Sequence, residues 1–302
     1  MRKKIQFLLI FSWVILVSSC EDVVKVDLPE GEEVLVIDAF LNDKSPVQKI
    51  KLTGTVPYFN EQSLPPALGA TVEVKDITSG KVFSFTDNLN VGVYEYQLMP
   101  GDSFAIIGHK YQLNVNWEGN AYQSFTTLYP TASIDTIGFQ EVKDFGSADV
   151  RGYAPYLYGT DVLGRKDYYW FKAFKNNVFY GKPKNINISE DGGGGNGTDG
   201  LCFIPPVAFF NVIDFEDIFQ LDDSCRIEIH SVAKDTYEYL LQMQIQLNNS
   251  QAGLFSTTLE NLRSNILPLN NSKRAIGWFS FSSVSIKKTK ATLNWPVDYN
   301  CP

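Results

Sequence analysis

Tyr111-Gln112-Leu113-Asn114-Val115-Asn116-Trp117 alternates apolar and polar side chains without a break. Successive side chains of a strand point to opposite faces, so Tyr111, Leu113, Val115 and Trp117 share a face to be buried while the Gln and Asn side chains face water. Glu118-Gly119-Asn120 follows with the chemistry of a tight hairpin turn, and Ala121–Thr127 reads as the returning strand. A hairpin with one apolar face needs a second apolar sheet to cover it.

Working outward, the upstream chain supplies candidate strands at Val34–Phe40, Val47–Thr55, Ala70–Asp76, Lys81–Thr86 and Val93–Gln97. They are short, rich in β-branched and aromatic residues, and separated by Gly, Pro and Asn, as in an antiparallel sandwich of immunoglobulin-like type. Tyr129-Pro130-Thr131 breaks the pattern, which places a domain boundary near residue 130 and a sandwich domain over 34–130.

Residues 131–302 read as a second β-rich domain, with strands at Ile134–Val142, Ala154–Thr160, Asp167–Lys175 and Cys225–Ser231, then a closing pair, Gly277–Ser285 and Lys290–Trp295. One helix is expected in it. Asp235 is placed as N-cap with Glu238 three residues on, and Tyr237, Leu240, Leu241, Ile245 and Leu247 form an apolar stripe that ends at Asn248-Asn249. The stretch 190–200, with four successive glycines from Gly192 to Gly195, buries too little apolar surface to offset its ordering entropy and reads as a mobile loop.

The amino terminus carries a different signal. Arg2, Lys3 and Lys4 precede an apolar run from Ile5 to Val17 and the small residues Ser18 and Ser19, the three parts of a secretory leader over 1–19. The run is about thirteen residues, short of the roughly 20 that a spanning helix needs. Cys20 follows at once, and Val17-Ser18-Ser19-Cys20 resembles a bacterial lipobox, in which the cysteine is acylated and becomes the first residue. Residues 20–33 then read as a lipidated tether. Several acyl chains hold a protein to a bilayer more firmly than the marginal grip of one, at about 0.8 kcal/mol for each buried methylene.

Of 302 residues, 26 are basic and 34 acidic; loss of Arg2, Lys3 and Lys4 with the leader leaves 23 against 34, a balance of −11. Such a chain repels a phosphate backbone, so nucleic acid is excluded as a partner. Export permits disulfides. Cys202 and Cys225 would close the loop between them and leave Cys301 unpaired; three free thiols is the alternative. No C-x-x-C occurs, which disfavours zinc.

Enzyme signatures are absent: there is no G-x-S-x-G, H-E-x-x-H, Walker loop or G-x-G-x-x-G after a strand. His109 and His230, the two histidines, read as polar edge or turn residues rather than general bases. Asp191, Asn196 and Asp199 offer oxygen ligands among glycines, but the spacing is not that of an EF-hand, so no metal site and no cofactor are assigned. Asp214, Glu216, Asp217, Asp222 and Asp223 read as a solvated acidic face. Phe209 and Phe210, following Pro205-Pro206, are the apolar pair expected to meet a partner.

In order along the chain, Cys20-Glu21-Asp22, Val26-Asp27-Leu28-Pro29, Val34-Leu35-Val36-Ile37-Asp38-Ala39, Leu52-Thr53-Gly54-Thr55, Ser133-Ile134-Asp135-Thr136-Ile137, Asp167-Tyr168-Tyr169-Trp170-Phe171, Tyr237-Glu238-Tyr239-Leu240 and Gly277-Trp278-Phe279-Ser280 resemble the DUF4249 family of Bacteroidetes lipoproteins. The resemblance implies an outer-membrane lipoprotein facing the cell exterior, whose relatives associate with TonB-dependent transporters. It also makes Glu21 and Asp22 look like a surface-export signal, and it brings no catalytic residues. The expectation is a non-enzymatic accessory or ligand-binding subunit of such a transporter, held by its acyl anchor in outer-membrane lipid; the alternative is a structural component of an outer-membrane assembly or secretion complex.

Overall fold

The computed structural model describes residues 33–57, 63–143, 151–179, 186–191, 199–203, 207–208, 218–249, 262–294 and 297–300. Strand accounts for 52% and helix for 7%, so the chain is mainly β. No helix among the described residues is long and apolar enough to cross a membrane.

The expected hairpin is present as β6 (Lys110–Trp117) and β7 (Asn120–Thr127), with Tyr111, Leu113 and Val115 buried. The turn is tighter than expected. Glu118 and Gly119 alone make it, both with positive φ (48° and 76°), the conformation a two-residue turn needs to match strand twist. Trp117 therefore pairs with Asn120, which opens the second strand.

Around it, β3 (Thr71–Asp76), β4 (Val82–Phe85) and a short β15 (Leu267–Leu269) complete a sheet of order β15-β7-β6-β3-β4. The facing sheet runs β16-β1-β2-β5, from β1 (Leu35–Asn42), β2 (Val47–Gly54), β5 (Val93–Gln97) and β16 (Ala275–Ser282). Ile37, Leu41, Ile50 and Leu52 meet Val74, Phe83, Tyr111 and Leu113 in one core, and Phe281 of β16 lies 4.6 Å from the ring of Tyr111.

The boundary expected near residue 130 is thus crossed. Residues 34–130 do not close a sandwich alone, because β15 and β16 come from the far end of the chain, and β16 lies parallel to β1 from Leu35↔Ala275 to Asn42↔Ser282. Without β16, β1 would present a row of unpaired backbone groups at a sheet edge. Glu33–Pro302 accordingly clusters as one unit.

A second sandwich sets β8 (Ser133–Lys143), β9 (Arg151–Thr160) and β13 (Val207–Ala208) against a sheet of β10 (Tyr168–Lys175), β11 (Val178–Phe179), β12 (Asn187–Glu190), β14 (Ser224–Ser231) and β17 (Val284–Lys290). Ile137, Phe139, Leu157, Tyr169, Phe171, Phe219, Ile227 and Ile229 fill its core. The closing strand pair at Gly277–Ser285 and Lys290–Trp295 is not formed. Instead β16 and β17 follow each other across Ser283, the first paired with β1 in one sandwich and the second with β14 in the other.

The one helix among the described residues, α1 (Lys234–Asn249), begins a residue earlier than Asp235, whose carboxylate accepts the Thr236 amide at 2.7 Å inside the first turn. Its inward face is Thr236, Tyr239, Leu240 and Met243, while Ile245 is exposed. Trp278 fixes this phase: its indole stacks on Tyr239 at 4.4 Å and donates Nε1–H to Thr236 Oγ1 at 3.0 Å. The helix lies over β10 and β12, where Tyr237 meets Tyr168 at 5.2 Å.

Candidate functional site

Among the described residues, two places gather ionisable side chains. The first is the outer face of the β10–β14 pair. Strand alternation sends Tyr169, Phe171, Ile227 and Ile229 into the core, so Trp170, Lys172 and Phe174 stand opposite His230, Glu228 and Arg226 on the other face. Lys172 lies over the Trp170 ring at 3.8 Å, and Arg226 over Phe174 at 3.5 Å. Glu228 ion-pairs with Arg226 and accepts from His230 Nε2 at 3.0 Å.

Burial pushes His230 down to about 4, helped by the neighbouring Lys172 charge, so the ring is neutral at pH 7. Burial also draws Lys172 down to about 8 against the attraction of Glu228 and Asp38. Burial alone would raise Glu228, but the His230 hydrogen bond and the Arg226 and Lys172 charges hold it below the usual range. The cluster is internally matched, charge against charge, and works as a joint between the sandwiches.

The second place gathers acids. Asp161 follows the end of β9, Asp167 precedes β10, and Asp191 follows β12, so the topology brings three carboxylates to one end of the second sandwich. One carboxylate oxygen from each lies within 4.8 Å of the others. The Asp167 amide donates to Asp191 Oδ2 at 2.8 Å and the Asp191 amide to the Asp167 carbonyl at 3.0 Å; Tyr169 donates its hydroxyl to Asp161 Oδ1.

Asp167 is fully buried. Arg165 touches its Oδ1, yet Oδ2 has no hydrogen-bond partner. Burial, set against Arg165 and reinforced by Asp161 and Asp191, raises Asp167 to about 7, and burial likewise raises Asp161. Two ionised carboxylates at this spacing repel by about 3 kcal/mol at an effective dielectric near 20. Paired acids with a raised pKa can serve acid–base catalysis, but a carboxyl with no exposed surface cannot reach a substrate bond, so the trio is suited to holding a cation or a proton.

Of the residues singled out from sequence, Cys20, Glu21, Asp22, Phe209, Phe210, Asn196, Asp214, Glu216 and Asp217 lie outside the described residues. The Cys202–Cys225 pairing is corrected: Cys202 is in a disulfide, while Cys225 is a free thiol. Cys225 stands between Lys175 and Thr289 in mid-sheet with its thiol in the core, whereas Cys202 bridges Thr160 at a sheet end. His109 braces a turn, its Nδ1 2.8 Å from Asp76, a buried carboxylate that also accepts from Thr78 and Ser79. Asp223 pairs with Lys175 and Asp222 with Lys290, so both belong to turn and sheet-edge contacts. Asp199 spends both oxygens on the Gly164 amide, at 3.1 and 2.9 Å.

Sequence reading missed Asp161 and Asp167 as partners of Asp191 because β12 was not recognised. Once Tyr168 is opposite Glu190, Asp167 and Asp191 must be neighbours.

A family model described as a domain of unknown function, DUF4249, matches residues 21–288. The chain belongs to the DUF4249 family. No curated protein matches this DUF4249 chain. Among solved structures it is similar to a DUF4785 family protein from Legionella pneumophila at 9% identity and a TM-score of 0.24, over 65% of the DUF4249 chain and 52% of the other. The chain spans about half of that protein's length.

Proposed function

We propose that this DUF4249 protein is a lipid-anchored outer-membrane protein of Bacteroidetes type that faces the cell exterior and serves, without catalysis of its own, as an accessory or ligand-binding subunit of a TonB-dependent transporter. The observation that carries the reading is the lipobox-like Val17-Ser18-Ser19-Cys20 with Glu21 and Asp22 behind it, and a family match that begins at residue 21, one past the proposed acylated cysteine. The stretch from Cys20 to Glu33 has an extended reach of at most about 45 Å, enough to keep the β body close to the membrane that holds the anchor. Confinement of this kind raises the effective concentration beside a barrel, so a weak contact suffices for association.

Labelling cells with a tritiated fatty acid tests the anchor: the wild type takes up label and Cys20→Ser does not. Affinity purification of the full chain from mild detergent tests the partner. A TonB-dependent barrel recovered with the wild type supports the reading. Recovery of an assembly or secretion machine in its place would move the assignment to a structural component, and an unlabelled wild type would remove its premise.

A further inference from the structure

We propose that Asp161, Asp167 and Asp191 form a divalent-cation site whose natural occupant is Ca2+. Convergence comes first. Three carboxylates meet at one end of the sandwich, and Arg165 beside them touches Asp167 Oδ1 and is itself held over the Tyr129 ring at 4.2 Å.

The second observation is independent of the clustering. Asp167 has no exposed surface, and its Oδ2 is an orphan, a buried carboxylate oxygen without a hydrogen bond. Buried polar atoms are nearly always satisfied, and an exception calls for a missing water, proton or ion. Three converging carboxylate oxygens favour the ion, because a proton neutralises one carboxyl whereas a divalent cation can be shared by all three.

Coordination habit selects the metal. Ca2+ accepts carboxylate oxygens in flexible, irregular geometry, as these three side chains from separate loops offer, whereas Mg2+ demands near-ideal octahedral order and gives up its water reluctantly. Among the described residues the convergent ligand set is all carboxylate, hard donors that disfavour softer metals. The site ties together parts of the chain that are distant in sequence: Asp161 donates its amide to Leu201 O at 3.0 Å, and Asp191 is bonded to Asp167. A bound ion would staple both ends of the 191–201 segment to the β9–β10 connection.

The test uses the full chain purified in detergent after dialysis against a chelator, with Tb3+ and Ca2+ as probes. Tyr169, bonded to Asp161, is placed to sensitise Tb3+, so excitation of tyrosine should give green emission that Ca2+ quenches by competition and Mg2+ quenches at least tenfold less well. At Ca2+ about a hundredfold above its dissociation constant the melting temperature should rise by about 5 °C. Asp191→Asn and Asp167→Asn should each abolish the sensitised emission and the thermal shift. Asp167→Asn, which removes a buried charge, should also stay folded without metal. Asp222→Asn, at an exposed acidic turn, should leave both signals intact. Absence of emission and of any thermal shift with millimolar Ca2+ would overturn the site, as would signals that persist in both trio variants.

Discussion

The hydroxyl of Ser282 lies 3.0 Å from Nδ1 of His230. Ser282 ends β16, a strand of the first sandwich, and His230 is in β14 of the second, so this hydrogen bond joins the two bodies at a buried point. A carboxylate only accepts, so the neutral ring carries its proton on Nε2 toward Glu228, and Nδ1 accepts from Ser282.

That arrangement makes stability depend on pH in a stated direction. The folded-state value of His230 is about 4, against 6.5 for an unperturbed histidine, so the unfolded chain binds the proton more readily. The contribution is complete above pH 6.5 and is lost as pH falls toward 4, by about 3 kcal/mol in all. Urea unfolding of wild type and His230→Gln across this window should show a slope shallower by close to one proton in the variant. Parallel slopes would mean that the ring is charged in the fold.

Gly277 sits in β16 opposite Ile37 with φ of 121°, and a Cβ there would fall inside contact distance of the Ile37 carbonyl and amide. Both the dihedral and the space exclude a side chain, so Gly277→Ala should cost on the order of 4 kcal/mol or prevent folding. Gly119→Ala is the control: its φ is also positive, but nothing lies within 4 Å, so the cost should be about 1–2 kcal/mol from backbone strain alone. Thermal melts of the two variants measure the difference, and equal losses would show that the β1–β16 contact is not the constraint.

Local pattern made the strands legible and left their partners hidden. Tyr111 to Trp117 announced a face, a turn and a returning strand because each signal lies within a few residues. Nothing in Val34–Phe40 says that its neighbour is Ala275–Ser282, since parallel pairing over more than two hundred residues leaves no turn chemistry to read. The helix was found by its period but set in the wrong phase: Ile245 looked apolar enough to be inside, yet Trp278 turns Thr236 and Tyr239 inward. The carboxylate trio was hidden for the same reason, a sheet contact between Tyr168 and Glu190 that bare sequence does not show.

The cysteines offer a test that needs no variant. Burial drives the Cys225 thiol up to about 12, and it lies in the second core with no exposed surface. Only a thiolate reacts readily, so Cys225 should resist alkylation in the native protein and react once the chain is unfolded in denaturant without reductant. Cys202, already in a disulfide, should be alkylated only after reduction. Peptide mass mapping of the two states reads both, and a Cys202–Cys225 linked peptide would contradict the structure.

The phase of α1 can be decided by truncation. Tyr239 is buried and stacked on Trp278, so Tyr239→Ala removes a large core side chain and should cost about 3 kcal/mol or more. Ile245 is 51% exposed, and Ile245→Ala should stay within about 0.5 kcal/mol of wild type. Chemical denaturation gives both values on one scale. A stripe set by sequence periodicity alone would make Ile245 the costly site, so a larger loss there would mean that the helix is rotated about its axis and that the Trp278–Thr236 hydrogen bond does not form.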